Sequence, residues 1–451
     1  MGKLLLAFCV FTLSACSSLV SVPRVPQNTD TGLRSVPQVV QSYGANRWTV
    51  FPGSRSPYTM PAGEMTADTH GNVWYVNVAG VGRLNYSGTQ AFFTYYWLYA
   101  FSQNGGLGGW GPGITFGPDG NVWVVNAFDL ARFTPDGSLT TYPNENRYNY
   151  FGYITAGFHS DLWWVQDNDI NQLDLNSGDR AGAFLQPKET GLGITRGPDG
   201  NVWFITQNTV GRANLPPGQF MNVTSFKIPG VGRSAYAGTG IVTGPNNHLF
   251  TVRQDCTSYE LTTRGTIVAV RRLGPAGANC SPQPLVANNS IWEVSNGVSS
   301  SCDAHNYLTE LQLPSGALKT TTPPNSIWGR PPCGSGATNY APEGGALGGD
   351  GNLYFNMANG NIGVRILASI TVAPNVALYT FPAVGRSLTL TISETNYAGA
   401  WTVTATDPNV VRVGRWLAKN QVQIESAGRG RGRILIHDEK NNYYNFFAVV
   451  Q

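Results

Sequence analysis

The sequence predicts an all-β chain: a seven-bladed β-propeller closed by its own amino-terminal strand, followed by a small β-sandwich. Three observations carry that prediction. A short apolar strand centred on an aromatic residue returns seven times. Gly 54 and Pro 28 supply 82 of the 451 residues, while charged residues make up only 12%. One strand of the repeat stands alone ahead of the first complete unit. Turn residues at that density, with 12 Trp, 20 Tyr and 20 Phe, favour many short strands and exclude helical bundles, coiled coils and disorder. A chain of 451 residues also exceeds the roughly 250–300 residues at which one compact core stops growing. The formal net charge of +3 gives no large one-signed field, so no nucleic acid is expected as a partner.

Residues 1–16, MGKLLLAFCVFTLSAC, place Lys3 ahead of an apolar run, Leu4 to Leu13, and small residues before Cys16. This is the layout of a secretory signal, and the run is too short to cross a bilayer. Leu13-Ser14-Ala15-Cys16 resembles the bacterial lipobox, which implies acylation (palmitate among the chains) at Cys16, a membrane anchor. With Ser17 next, the same resemblance implies sorting to the outer membrane of the cell envelope, facing either the periplasm or the surface. Residues 17–42, punctuated by Pro23, Pro26 and Pro37, are expected to form an extended tether.

The repeats occupy residues 43–368. Their anchoring aromatics are Trp74, Trp123, Trp163, Trp203, Phe250, Trp292 and Tyr354, spaced by 49, 40, 40, 47, 42 and 62 residues. Those intervals suit propeller blades of about 40–50 residues and four strands. The second unit is the clearest. Gly113-Ile114-Thr115-Phe116 leads into the turn Gly117-Pro118-Asp119-Gly120-Asn121, then Val122 to Val125, a third strand at 130–133, a second Pro-Asp-Gly turn at 135–137, and a fourth strand ending at Tyr142. Proline presets φ and glycine accepts positive φ, so these turns have a mechanism. Each turn holds a single carboxylate, too few for a calcium loop. The seventh unit lacks a fourth strand, and Arg47 to Pro52 is similar to the fourth strand Leu139 to Pro143. The amino-terminal strand is therefore expected to complete the last blade and seal an open edge.

The unit Gly-Pro-Asp-Gly-Asn-Val-Trp-Phe, with Gly-Ile-Thr before it and Val-Gly-Arg at 81–83 and 210–212, resembles the repeat of the virginiamycin B lyase (streptogramin lyase) family. That resemblance implies a seven-bladed propeller, and an activity: opening of a macrocyclic lactone by elimination, using histidines, a glutamate and magnesium. At the family's histidine position the seven units carry Gly63, Pro112, Gly152, Leu192, Thr239, Gln283 and Gly344, and at its glutamate position Asn77, Asn126, Gln166, Thr206, Arg253, Ser295 and Met357. Neither base nor carboxylate ligand is in place, so no catalytic residue and no metal site are assigned. Elimination needs a positioned proton acceptor and an electrophile. His70, His159 and His248 fall at first-hairpin turns, where they serve as polar turn residues. Asp303 and His305 beside Cys302 form only a loop Asp-x-His.

Four cysteines follow the signal: Cys256, Cys280, Cys302 and Cys333. In an exported chain they predict two disulfides with three possible connectivities, and no close pair of the zinc-ligand type occurs. Strand order places all four on the rim formed by the second-to-third and fourth-to-first loops, which favours Cys256 with Cys280 and Cys302 with Cys333. The same rim receives a candidate binding surface: Tyr95, Tyr96, Trp97 and Tyr99 with Trp110, then Tyr148, Tyr150, Phe151 and Tyr153, then Trp328 and Tyr340. Aromatics with few rotors lose little entropy on binding.

Residues 374–451 change character, with six or seven short strand-like runs that resemble bacterial immunoglobulin-like domains. The run Arg429, Arg431, Arg433 is expected as a solvated edge guarding against strand addition. Together these readings predict a lipid-anchored, non-catalytic envelope protein that binds a glycan such as peptidoglycan, or scaffolds an envelope assembly, without a cofactor. The alternative is a magnesium-dependent lyase with a relocated site.

Overall fold

The structure is a computed structural model; it describes residues 34–35, 42–43, 46–51, 62–77, 80–84, 89–94, 113–125, 129–143, 152–185, 189–216, 221–228, 240–281, 283–297, 305–323, 344–349, 351–357, 361–367, 370–374, 378–394, 399–438 and 443–451. These residues are organised in β-sheets throughout, as the composition predicts. Seven antiparallel sheets form the blades of a ring. Their first strands are Ala62–Ala67, Gly113–Phe116, Tyr153–Ala156, Gly191–Arg196, Gly240–Thr243, Leu285–Ala287 and Gly344–Leu347. Each touches the next in order, and the last touches the first, so the ring is closed around an axial channel. Among the described residues no helix is long and apolar enough to cross a membrane.

Closure follows the displaced-strand expectation. Asn46–Phe51 pairs antiparallel with the third strand of blade seven, Ile362–Ile366, in the register Arg47↔Ile366 to Phe51↔Ile362. Trp48 is 1% exposed and packs among Leu285, Trp292 and Leu308 of blade six and Leu353 and Phe355 of blade seven, with the Arg365 guanidinium 5.2 Å from its ring centre. Two short pairings precede it: Arg34–Ser35 with the outer strand of blade one, and Ser42–Tyr43 with the closing strand itself. The segment expected as a tether thus meets the ring at two points.

Blade four shows why the repeat is spelled as it is. Gly200 has φ of +78°, closing the Pro-Asp-Gly hairpin in a conformation that side chains resist. The Trp203 indole N–H donates to Asp199 Oδ1 at 2.9 Å, and Asn201 Nδ2 donates to Asp199 Oδ2 at 2.8 Å. The same bond recurs from Trp123 to Asp119, from Trp74 to Asp68 and from Trp163 to Asp161. The turn carboxylates therefore satisfy buried indoles, which explains single acids without any calcium role. In Val210-Gly211-Arg212, a Cβ on Gly211 would fall 2.2 Å from the Phe204 ring. Gly82 makes the same room for Tyr75 in blade one, so in these two blades glycine lets the aromatic after the Trp lie flat on the third strand.

Blade five replaces this set as a unit: Phe250 stands for the Trp and Asn246 for the Asp, and Asn246 Nδ2 instead joins His248 and Arg271 around Glu260, at 2.9, 2.7 and 2.7 Å. Asp199→Ala is accordingly expected to cost about 1–3 kcal/mol by stranding a buried indole N–H. In a Trp203→Phe background, which has no indole N–H to strand, Asp199→Ala should cost less in urea unfolding than it does in the parent; an undiminished loss there would show that the indole bond does not matter.

Residues 370–451 form the second unit, a sandwich of two four-stranded sheets. The core between them holds Ile370, Phe381, Leu390, Val411, Ile424, Ile434 and Phe446. Phe447 lies outside that core cluster, yet it is only 4% exposed, covered by two arginines that reach the propeller. Arg431 Nη2 donates to His70 O and Arg433 Nη2 to Gly349 O, each at 2.6 Å, and both guanidiniums flank the Phe447 ring. This corrects the expectation of an edge in part: the strand carrying Arg431 and Arg433 is paired on both sides, by Tyr443–Val450 and Trp401–Ala405, although Arg429 and Arg431 are exposed. Two of the three arginines cap hairpin carbonyls of blades one and seven, on the two sides of the ring closure.

Candidate functional site: the axial channel and its rim

The inner edge of each first strand carries backbone groups that its own blade cannot satisfy, and neighbouring blades supply the partners. Ile114 N–H donates to Glu64 Oε2 and Phe116 N–H to Thr66 Oγ1, both at 3.2 Å. Gly345 N–H donates to Gln283 Oε1 at 3.0 Å, while Gln283 Nε2 donates to Met65 O at 3.4 Å. Asn356 Nδ2 reaches Gly63 O and Val76 O at 3.2 and 3.0 Å. Blades six, seven and one are thus laced together at the channel wall.

A cavity of about 360 Å³ lies on the axis, lined by Glu64 and Gln283, by Thr66, Thr115, Thr155 and Thr195 on one arc, and by aliphatic residues such as Val242 and Leu347 on the other. Burial pushes the Glu64 carboxyl up to about 8, partly offset by the Ile114 N–H. Near neutral pH it is mostly an uncharged acid. Glu64 was missed by motif reading, although a signal existed: it occupies the place, two residues before the partner of the anchoring aromatic, held by Gly113, Gly193, Gly240 and Gly344 in four other units. Glu293, in the second strand of blade six, is 0% exposed, and burial likewise holds its carboxyl well above the usual range.

The positions tied to the family's chemistry read as follows. Gly63, Gly152, Leu192, Gln283 and Gly344 lie in or beside the first strands, and Gln283 commits both ends of its amide to the wall; Pro112 and Thr239 fall outside the described residues. Gln166, Thr206, Ser295 and Met357 are buried. Thr206 does meet a carboxylate, Glu189, at 2.6 Å, but both Glu189 oxygens are also bound by Asn208, so this is a brace for the blade. Among the described residues no group of three His, Cys, Asp or Glu could hold a metal ion. With the channel carboxyl neutral and Gln283 spent, the residues present do not fit a magnesium ion, and no step is derived through one.

Cys256 and Cys280 form a disulfide, as strand order favours. Ala278–Cys280 is a strand of blade six rather than a free outgoing loop. It pairs with Ser295–Gly297 while Cys280 N–H donates to Gln254 O, so the bridge staples blade five to blade six. Cys302 and Cys333 lie outside the described residues, as do Asp303, Cys16 and the rim aromatics Tyr95, Tyr96, Trp97, Tyr99, Trp110, Tyr148, Tyr150, Phe151, Trp328 and Tyr340. Tyr153 does not belong to an open rim surface. It is 8% exposed and packs with Trp163 and Phe204.

The sequence pattern of the virginiamycin B lyase family matches residues 108–320, blades two to six. No curated protein sequence matches the chain. Among solved structures, a streptogramin B lyase is 19% identical with a TM-score of 0.54, covering 72% of this chain and 99% of its own. The virginiamycin B lyase of Staphylococcus aureus is 20% identical with the same TM-score, covering 71% and 99%. The extracellular domain of a one-component system of B. thetaiotaomicron is 12% identical with a TM-score of 0.51, covering 91% of this chain and 62% of that one. At these identities the likeness is one of fold, and together with the repeat it makes the ring of this chain a virginiamycin B lyase-like β-propeller.

Proposed function

We propose that this protein is a lipid-anchored component of the bacterial envelope, held at Cys16 and sorted to the outer membrane, in which the propeller binds a glycan or an envelope protein and performs no chemistry. The observation that carries the reading is the state of the channel wall. The polar side chains nearest the family's reactive positions, Glu64, Thr66 and Gln283, accept backbone N–H groups of the adjacent blade. An uncharged acid among threonines suits hydrogen bonding to neutral hydroxyls better than proton abstraction. The sandwich rests on the hairpin rim at blades one and seven, which leaves the opposite rim, where strand order in the sequence assigns the aromatic loops, as the face we propose for a ligand. No cofactor is needed for this role.

Two measurements test it. Purified protein incubated with a streptogramin B and magnesium should leave the lactone ring intact; ring opening above the no-protein rate would overturn the non-catalytic reading. Sedimentation with purified peptidoglycan should retain the protein, and Trp97→Ala with Tyr99→Ala should reduce retention about tenfold, the loss of two aromatic hot-spot residues. Retention unchanged by that pair would remove the rim from the proposal.

A further inference from the structure

The sandwich presents a second surface, on the sheet that does not rest on the propeller. Its edge strand, Val411–Ala418, pairs with Gln421–Ser426 and is joined to it by a two-residue turn, Lys419-Asn420, with Ala418 opposite Gln421. Two register shifts, between Val413 and Trp416 and between Trp416 and Ala418, interrupt the ladder at the tip. Trp416 and Leu417 consequently stand side by side in solvent, 42% and 43% exposed. Large apolar side chains at neighbouring exposed positions of a hairpin tip do nothing for the core cluster, which excludes both.

The charged side chains of the edge strand and its turn are basic. Arg412, Arg415 and Lys419 are all exposed. Glu425 accepts from Arg412 Nε at 3.1 Å. Arg415 and Lys419 bracket Trp416-Leu417-Ala418 in sequence. An aromatic and an aliphatic flanked by basic side chains match a bilayer interface, where indole rings settle at headgroup depth and lysine or arginine meets anionic lipid. We infer that the tip formed by Arg415, Trp416, Leu417 and Lys419 is a docking site for the headgroup surface of an anionic bilayer. The inference is independent of acylation, since the tip belongs to the folded sandwich, and independent of any ligand on the propeller rim.

The test uses the full chain carrying Cys16→Ser, so that no acyl chain contributes, with vesicles of phosphatidylglycerol and phosphatidylcholine in equal parts and vesicles of phosphatidylcholine alone. Cosedimentation with the anionic vesicles is expected, falling as salt rises. Arg415→Gln or Lys419→Gln should each weaken it about fivefold, the effect of one basic residue at an anionic surface. Trp416→Ala with Leu417→Ala should weaken it at least tenfold while leaving the thermal midpoint unchanged. Equal binding to both vesicle types, binding to neither, or no loss in the Trp416/Leu417 variant would overturn the inference. So would sedimentation velocity showing a dimer that Leu417→Ala dissolves, because the tip would then be an interface between two copies.

Discussion

Trp48→Ala is expected to lower the unfolding free energy by about 3–5 kcal/mol, the range for truncating a fully buried aromatic. The loss should also fall on a particular part of the ring. Trp48 belongs to the strand that arrives from the other end of the chain, and its contacts are with blades six and seven. Among the described residues, the strand that covers the outer side of the third strand of blade seven, Ile362–Ile366, is this one. Weakening it should therefore speed amide hydrogen exchange of blade seven and of the adjoining strands of blades six and one. Blades three and four, whose fourth strands are local in sequence, should be protected until global unfolding. Trp203→Ala gives the control: a similar truncation in blade four, where Trp203 is 0% exposed, should loosen blade four first. Identical exchange patterns in the two variants would mean that the amino-terminal strand is not a separable closing element.

Much of this architecture was legible in the sequence because repetition multiplies a weak signal. A single Gly-Pro-Asp-Gly-Asn turn ahead of a Trp is ambiguous, but its return at blade spacing defines the strand order, and a lone strand at 47–52 then has one place to go. The structure added what repetition conceals. The turn Asp exists for an indole N–H six, four, two and four residues later at Asp68, Asp119, Asp161 and Asp199, and the variable offset hides the pairing from motif reading. Likewise Arg431 and Arg433 look like a solvated edge until their bonds to His70 O and Gly349 O are seen, the first of them between segments more than 300 residues apart. The candidate site was legible in part: comparison at the family's positions identified what the channel lacks, but Glu64 escaped because attention to expected residues overlooks an unexpected acid at a glycine position.

Glu64 yields the second large effect, and its sign follows from linkage. A carboxyl that titrates near 8 in the folded ring, against 4.5 when free, is bound by a proton in the folded state through a window where the unfolded chain has already released it. Stability contributed by this proton is fully present below pH 4.5, declines as pH rises, and is gone above about 8. At about 1.36 kcal/mol per unit the whole window would represent several kcal/mol; because the carboxyl borders the cavity, relaxation toward solvent is expected to reduce this to about 2–3 kcal/mol. Glu64→Gln keeps an acceptor for the Ile114 N–H and carries no ionisable proton. The variant should match the parent at pH 5 and exceed it progressively to pH 8.5, with the thermal midpoint as readout. Every other carboxylate, Glu293 included, is common to both proteins, so the difference between the two curves isolates this residue. Parallel curves from pH 5 to 8.5 would show Glu64 ionised throughout. The channel would then present a negative charge, and its fit to an uncharged hydroxylated ligand would fail with it.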